Sequence, residues 1–198
     1  MRNRYCLQAE HHGFGASALG GHMEIGVFAH VDPASAFSFA IALPTLDLQR
    51  QWGRCNLLAN YVAEYVAYQF PQREWAENLI STVTNEFLEA IALLAPAQSE
   101  LFIRCFQLPE TLELELEHRV EAELVDLYMA FLAELADSLQ EAHYFALLTA
   151  TERPAVAFNQ FGLAMLVHDF SARIAARLDP QTKRICVRVS LPTREITG

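Results

Sequence analysis

The chain predicts a two-layer α/β (α+β) sandwich, in which helices cover one face of a mixed β-sheet. Three observations carry this expectation. Long segments place apolar residues at helical spacing on one side only. Shorter segments alternate apolar and polar residues with the period of a strand. With 53% apolar residues in 198 positions, the chain can build one sizeable core, and 23–198 reads as a single domain.

The elements follow in order. Met1–His22 is polar and glycine-rich, and reads as a flexible leader or a vector-derived extension, with Met23 as an alternative start. Its His11, His12 and His22 are read as part of that leader and not as a metal cluster. Phe37–Leu43 is a short apolar run suited to a strand, ended by Pro44. Asp47 then caps a helix reaching about Phe70, with Leu58, Tyr61, Val62, Tyr65 and Val66 on one face and Pro71 as its stop. Glu74–Leu94 is a second helix striped by Trp75, Leu79, Val83, Phe87, Ile91 and Leu94. Glu100–Gln107 alternates but is apolar on both faces, which suits a central strand or one covered by a partner. Pro109-Glu110 marks a turn into Thr111–Glu117, where Leu112, Leu114 and Leu116 point inward and Glu113, Glu115 and Glu117 outward to solvent. Glu121–Ala136 and Ser138–Thr149 read as helices, followed by a last helix over Val156–Leu178 and a final strand over Arg184–Leu191.

Charge and composition exclude several classes. A net charge of −10 opposes binding to nucleic acid or to anionic membranes. No apolar run approaches the roughly 20 residues of a membrane span. Cys6, Cys55, Cys105 and Cys186 lie far apart without zinc spacing, which reads as a reduced, cytoplasmic protein. Charged residues make up only 19%, below the roughly 25% of typical soluble domains, so a partner or a second copy is expected to cover some apolar surface. The two-sided strand Glu100–Gln107 and the apolar helices point to a homodimer in particular.

Three segments carry a family resemblance. Thr84-Asn85-Glu86-Phe87-Leu88-Glu89-Ala90-Ile91 resembles the N-box helix of the GHKL ATPase superfamily. Phe161-Gly162-Leu163-Ala164-Met165-Leu166-Val167-His168-Asp169-Phe170 resembles its second glycine box and the helix after it, and Val187–Pro192 its closing strand. A nearer resemblance is to bacterial regulators that include SiaB-type protein kinases, through Asp32-Pro33-Ala34-Ser35, Leu48-Gln49-Arg50-Gln51-Trp52 and Asn85–Glu89. The resemblance implies a Bergerat-like fold over Met23–Pro192 and a pocket formed by Asn85, Glu86, Glu89, Ala90 and Gly162. It also implies a small SiaC-like or STAS-like protein as partner.

The departures from the family pattern bear on function. The family glutamate is matched by Glu86, but the magnesium-binding asparagine four residues on is Ala90, which has no oxygen to offer. Asn85 is rotated about 100° away on the same helix. Where the first glycine box belongs, the chain reads His118-Arg119-Val120-Glu121, with neither Asp nor Gly. Gly162 stands alone between Gly53 and Gly198, whereas phosphate loops need several glycines for close backbone approach.

The expected function is therefore a regulatory protein that sequesters its partner in a partner-switching pathway, with the kinase step lost or weakened. One alternative is an active Mg-ATP-dependent serine/threonine kinase with Glu86 as general base. Another is a sensor holding a flat ligand such as a flavin in the vacated pocket. His168-Asp169 is read as structural, since adjacent helical residues do not face each other. Cys55 beside Arg54 is a candidate for an activated thiol, but it has no base partner and is read in a plain structural role. His30, His118 and His143 are isolated, and Trp52 and Trp75 are read as core or interface anchors.

Overall fold

The structure, a computed structural model, describes residues 23–28, 38–137, 141–149 and 158–197. The leader Met1–His22, His30 and the Asp32–Ser35 motif lie outside the described residues. The chain order is β1 (Met23–Ile25), β2 (Ser38–Pro44), α1 (Thr45–Arg50), α2 (Gly53–Ala67), α3 (Arg73–Leu94), β3 (Glu100–Gln107) and β4 (Thr111–Arg119). A single 3-10 turn, Ala122–Leu124, precedes α4 (Val125–Ala136), α5 (Glu141–Thr149), α6 (Gln160–Phe170), β5 (Arg173–Asp179), β6 (Arg184–Pro192) and α7 (Thr193–Thr197). Among the described residues, no helix is long and apolar enough to cross a membrane.

The strands form one sheet in the order β1-β5-β6-β4-β3-β2, and every neighbouring pair is antiparallel. The α+β two-layer class holds, but the mixed sheet does not. The physical reason lies in the connections. Short turns join β3 to β4 and β5 to β6, and tight turns can only join antiparallel strands. In the β5–β6 turn, Asp179 Oδ1 accepts the Gln181 N–H at 2.9 Å, Asp179 Oδ2 accepts the Thr182 hydroxyl at 2.8 Å, and Lys183 takes a left-handed φ of 56°.

β5 replaces the second half of the helix expected over Val156–Leu178. Ile174 and Leu178 satisfy helical spacing, but Ile174, Ala176 and Leu178 equally satisfy a strand, and all three are buried. Ser171 decides between them. It takes a left-handed conformation with φ 53° and ends α6, and the Ala172 N–H returns to the Leu166 carbonyl at 3.2 Å.

The single helix expected from Asp47 to Phe70 is likewise broken, at Gln51, whose backbone is extended. Arg54 bridges the break by an ion pair to Asp47 at 3.0 Å. Thr45, not Asp47, fixes the start. It is buried, its N–H donates to the Ser99 carbonyl at 2.9 Å and its hydroxyl to the Pro96 carbonyl at 2.8 Å.

The core lies between the helices and one face of the sheet. α3 contributes Leu79, Ile80, Val83, Phe87, Leu88, Ile91 and Leu94, and α2 packs on it through Cys55, Ala59, Val62, Ala63 and Val66, whose small side chains allow close approach. Strand residues Leu101, Ile103, Leu114, Leu116, Val187 and Val189 meet this layer. α7, absent from the sequence reading, brings Ile196 into the core and is held by Trp75, whose indole N–H donates to the Glu195 carbonyl at 2.7 Å.

The opposite face overturns the expectation of a solvated glutamate row. Glu113, Glu115 and Glu117 are all buried. Register explains this. Glu115 sits directly between Arg104 on β3 and Arg188 on β6. Arg188 Nε donates to Glu115 Oε1 at 3.0 Å, and Arg104 Nη1 to Glu115 Oε2 at 3.3 Å. Glu117 accepts from Arg104 at 2.9 Å and Arg184 at 2.6 Å, and Glu113 from Thr111 and Ser190, both at 2.6 Å. The guanidiniums cover the carboxylates, and the Phe28 ring lies over Arg177 and Arg188 at 4.7 and 4.6 Å. Replacing Glu115 by Ala leaves two guanidiniums facing the gap. It is expected to lower stability by about 3–5 kcal/mol in urea unfolding, as for the loss of one member of a buried ion pair.

Beneath the helices, His118 and Tyr128 form a second polar island. Their rings lie 5.9 Å apart, both residues are fully buried, and neither His118 ring nitrogen nor the Tyr128 hydroxyl has a hydrogen-bond partner among the described residues. Burial outweighs the approach of the Leu116 backbone and the attraction of Glu117, and pushes the His118 pKa down from 6.5 to about 4. His118 therefore stays neutral in the fold while the unfolded chain takes up a proton below pH 6.5. Stability is lost as pH falls from 6.5 towards 4, by roughly 1.4 kcal/mol per unit. The His118→Leu variant lacks this titration. Its stability, followed by urea unfolding across that window, is expected to fall by roughly 3 kcal/mol less than that of the parent chain.

Candidate functional site

The middle of α3 and the start of α6 meet at the residues singled out by the sequence. Asn159 caps α6, and its side-chain Oδ1 accepts the Gly162 N–H at 3.3 Å. Its amide Nδ2 donates to Glu86 Oε2 at 3.2 Å. Glu86 and Gly162, far apart in sequence, are thereby in direct contact. A Cβ placed on Gly162 would lie 1.6 Å from Glu86 Oε2, 2.6 Å from its Cδ and 2.8 Å from Asn159 Nδ2. Gly162 is thus required by close approach of a neighbouring side chain and not by an unusual φ.

Glu89 and Asn85, one helical turn apart, are joined by an amide-to-carboxylate hydrogen bond of 2.8 Å. The Asn85 carbonyl oxygen is buried and has no partner among the described residues. Ala90 is fully buried in the core and lines no opening. Burial raises the Glu86 carboxyl above its ordinary range, and the nearby Glu89 carboxylate adds to the effect. The arrangement can hold a proton on Glu86 nearer neutral pH than a solvated glutamate does. Among the described residues, no group of three or more His, Cys, Asp or Glu side chains is placed to hold a metal ion.

Cys55 is fully buried against α3, and its thiol is pushed up to about 11 by burial first and by Glu89 second, the opposite of activation. Arg54 points to Asp47 and Gln51. Cys105 and Cys186 are buried in β3 and β6.

The geometric argument against contact between His168 and Asp169 also fails. Nδ1 of His168 lies 2.7 Å from Asp169 Oδ1, because α6 ends two residues later and the side chains turn toward one another. The Tyr144 ring stacks on His168 at 3.9 Å and 6°, and its hydroxyl donates to Asp169 Oδ2 at 3.4 Å. The cluster docks α5 onto the end of α6, which agrees with a structural role. His143 falls on α5. Trp52 is half exposed at the α1–α2 break, and Trp75 anchors α7.

Two surface depressions lie away from Glu86. One of about 550 Å³ is bordered by Glu110, Ser171, Arg173 and Arg194. The other, about 420 Å³, lies on the charged sheet face beside Ala40, Ala42, Phe102 and Arg184. Asn159 escaped the sequence reading, although Asn three residues before the glycine of an apolar helix is the signature of a cap. The arginine partners of the glutamate row were missed for a similar reason. Arg184 and Arg188 alternate with the apolar residues of β6 and so face the same side as the glutamates.

The Gly162 contact is testable by a double-mutant cycle. Gly162→Ala is expected to cost about 1–3 kcal/mol by forcing Glu86 off Asn159. In Glu86→Ala/Gly162→Ala the clash is gone, so the double variant should be more stable than the sum of the single effects by about 1 kcal/mol or more. Additive costs in urea unfolding would show that the two residues do not constrain each other. Comparison of the chain with protein-family models, curated proteins and solved structures finds no match.

Proposed function

We propose that the chain is a regulatory protein built on a GHKL-like two-layer domain, and that it acts by binding another protein and not by turning over ATP. The observation that carries this reading is the seat of Glu86. A helix N-terminus attracts anions, and in a nucleotide site of this kind the anion is a phosphate. Here the first turn of α6 already has a carboxylate against Gly162, tied down by Asn159. An incoming phosphate would meet a negative group in the place where it needs bare backbone N–H groups. The juxtaposition of the N-box-like part of α3 with Gly162 supports the family resemblance, and the buried Ala90 supports the loss of the magnesium ligand. A small SiaC-like or STAS-like protein is the partner this resemblance implies.

A second reading, an active kinase, draws support from the raised Glu86 carboxyl, since a more basic carboxylate is better suited to activating a serine or threonine hydroxyl. Calorimetric titration with Mg-ATP and with ADP separates the two. Under the binding reading we expect dissociation constants weaker than about 1 mM and no rise in melting temperature with nucleotide. Micromolar binding would overturn it. Loss of partner phosphorylation in Glu86→Gln would then establish the kinase.

A further inference from the structure

We propose that two copies of this chain associate through the outer edge of β2, forming one continuous sheet across a two-fold axis at Ile41. The inference stands apart from the proposed function and holds whether or not nucleotide binds. The sequence suggested a homodimer through Glu100–Gln107, but β3 is interior, paired with β2 on one side and β4 on the other. Among the described residues, the long edge strand of the sheet is β2. Among the described residues no strand pairs with its outer side.

Edges of this length are normally blunted by charge, a bulge or a mid-strand proline. Ser38-Phe39-Ala40-Ile41-Ala42-Leu43-Pro44 carries no charged side chain, and it pairs with β3 without a break in register. Its own order favours a second copy over an unrelated strand. Antiparallel pairing centred on Ile41 sets Phe39 opposite Leu43, Ala40 opposite Ala42, and Ile41 opposite itself. Large side chains then fall on the helix side in both copies and alanines on the other side, so the alternation that buries Phe39, Ile41 and Leu43 against the core is kept.

The helix layer continues the match. Leu57 and Tyr61 of α2 and Tyr68, the residue that caps its C-terminus, are 70%, 52% and 66% exposed and fall on one stripe. That stripe lies at this edge, since the Tyr61 and Phe39 rings are 6.2 Å apart. Across the two-fold axis it faces its own copy. Charge agrees as well. The chain carries a net charge of −10, yet Glu64, the acid on this side of α2, lies 3.5 Å from Arg73. Two copies can therefore approach here without the repulsion that the rest of the surface imposes.

The test is sedimentation equilibrium of the full chain and of variants changed at Ala40 and Ala42, both exposed and facing away from the helices, so that folding is preserved. The parent chain should be dimeric at micromolar concentration. The Ala40→Lys/Ala42→Lys variant sets lysines opposite lysines and should weaken association at least about 100-fold, with an unchanged circular dichroism spectrum. Mixing it with Ala40→Glu/Ala42→Glu should restore the dimer as a mixed pair, which a merely damaged fold would not do. A monomeric parent chain, or lysine variants that dimerise as tightly as the parent, would overturn the proposal.

Discussion

The close approach of Glu86 to Gly162 sets the separation of α3 and α6, and much of the helical layer follows from it. α3 is the longest helix, and its other faces carry α2 and α7. α6 in turn receives α5 through the Tyr144–His168 stack. A side chain larger than hydrogen at 162 would push α6 away from α3 and shift everything docked on it. The glycine that looked like the remnant of a phosphate loop thus has a packing duty of its own. Its place in the chain is explained without a nucleotide, because it leaves room for the Glu86 carboxylate at the start of α6.

The two faces of the sheet solve opposite problems. The helix side is apolar and depends on volume, as expected of a close-packed interior. The other side is polar yet largely buried, and it depends on pairing. Glu115 between Arg104 and Arg188 places opposite charges in register across three strands, so each guanidinium offsets the desolvation of the carboxylate beneath it. The acidic surplus of the chain is consequently not concentrated on this face. An acidic row that reads as a solvated face in sequence is spent on internal cohesion. His118 and Tyr128 show the reverse case on the apolar side, where polar atoms are buried without partners among the described residues and burial keeps the imidazole neutral.

Elements with an unambiguous period were legible in the sequence to within a residue or two. α3 and β3 are the clearest, because α3 has one uninterrupted stripe and β3 is bounded by turn residues. Legibility failed where two periods fit the same residues. Ile174 and Leu178 serve a helix or a strand, and only the left-handed turn at Ser171 and the pairing with β6 select the strand. β1 was invisible because a three-residue strand carries no periodicity, and its place depends on β5. The parallel or antiparallel sense of a sheet is a property of connections, which local propensity does not encode.

Residue types single out Glu86 and Gly162, which meet in the fold, but they do not indicate that Asn159 ties the two together or that Ala90 is buried in the core. The expectation that α3 and the Gly162 helix form one site rests on residue types, and their contact is a tertiary fact. Nothing local indicates that the Glu86 side chain lies down on Gly162 instead of facing an open pocket. The same limit applies to Cys55, where Arg54 next in sequence suggested a lowered pKa and the fold turns the two side chains to different neighbours. A neighbour in sequence acts on a titratable group only if the backbone keeps it near, whereas desolvation acts wherever the group is buried. In this chain burial is the first cause for Cys55, Glu86 and His118 alike, raising the acids and lowering the base. The electrostatic character of the site is therefore set by the packing of α2, α3 and α6. A change that opened that packing would alter the protonation of Glu86 together with its bond to Asn159.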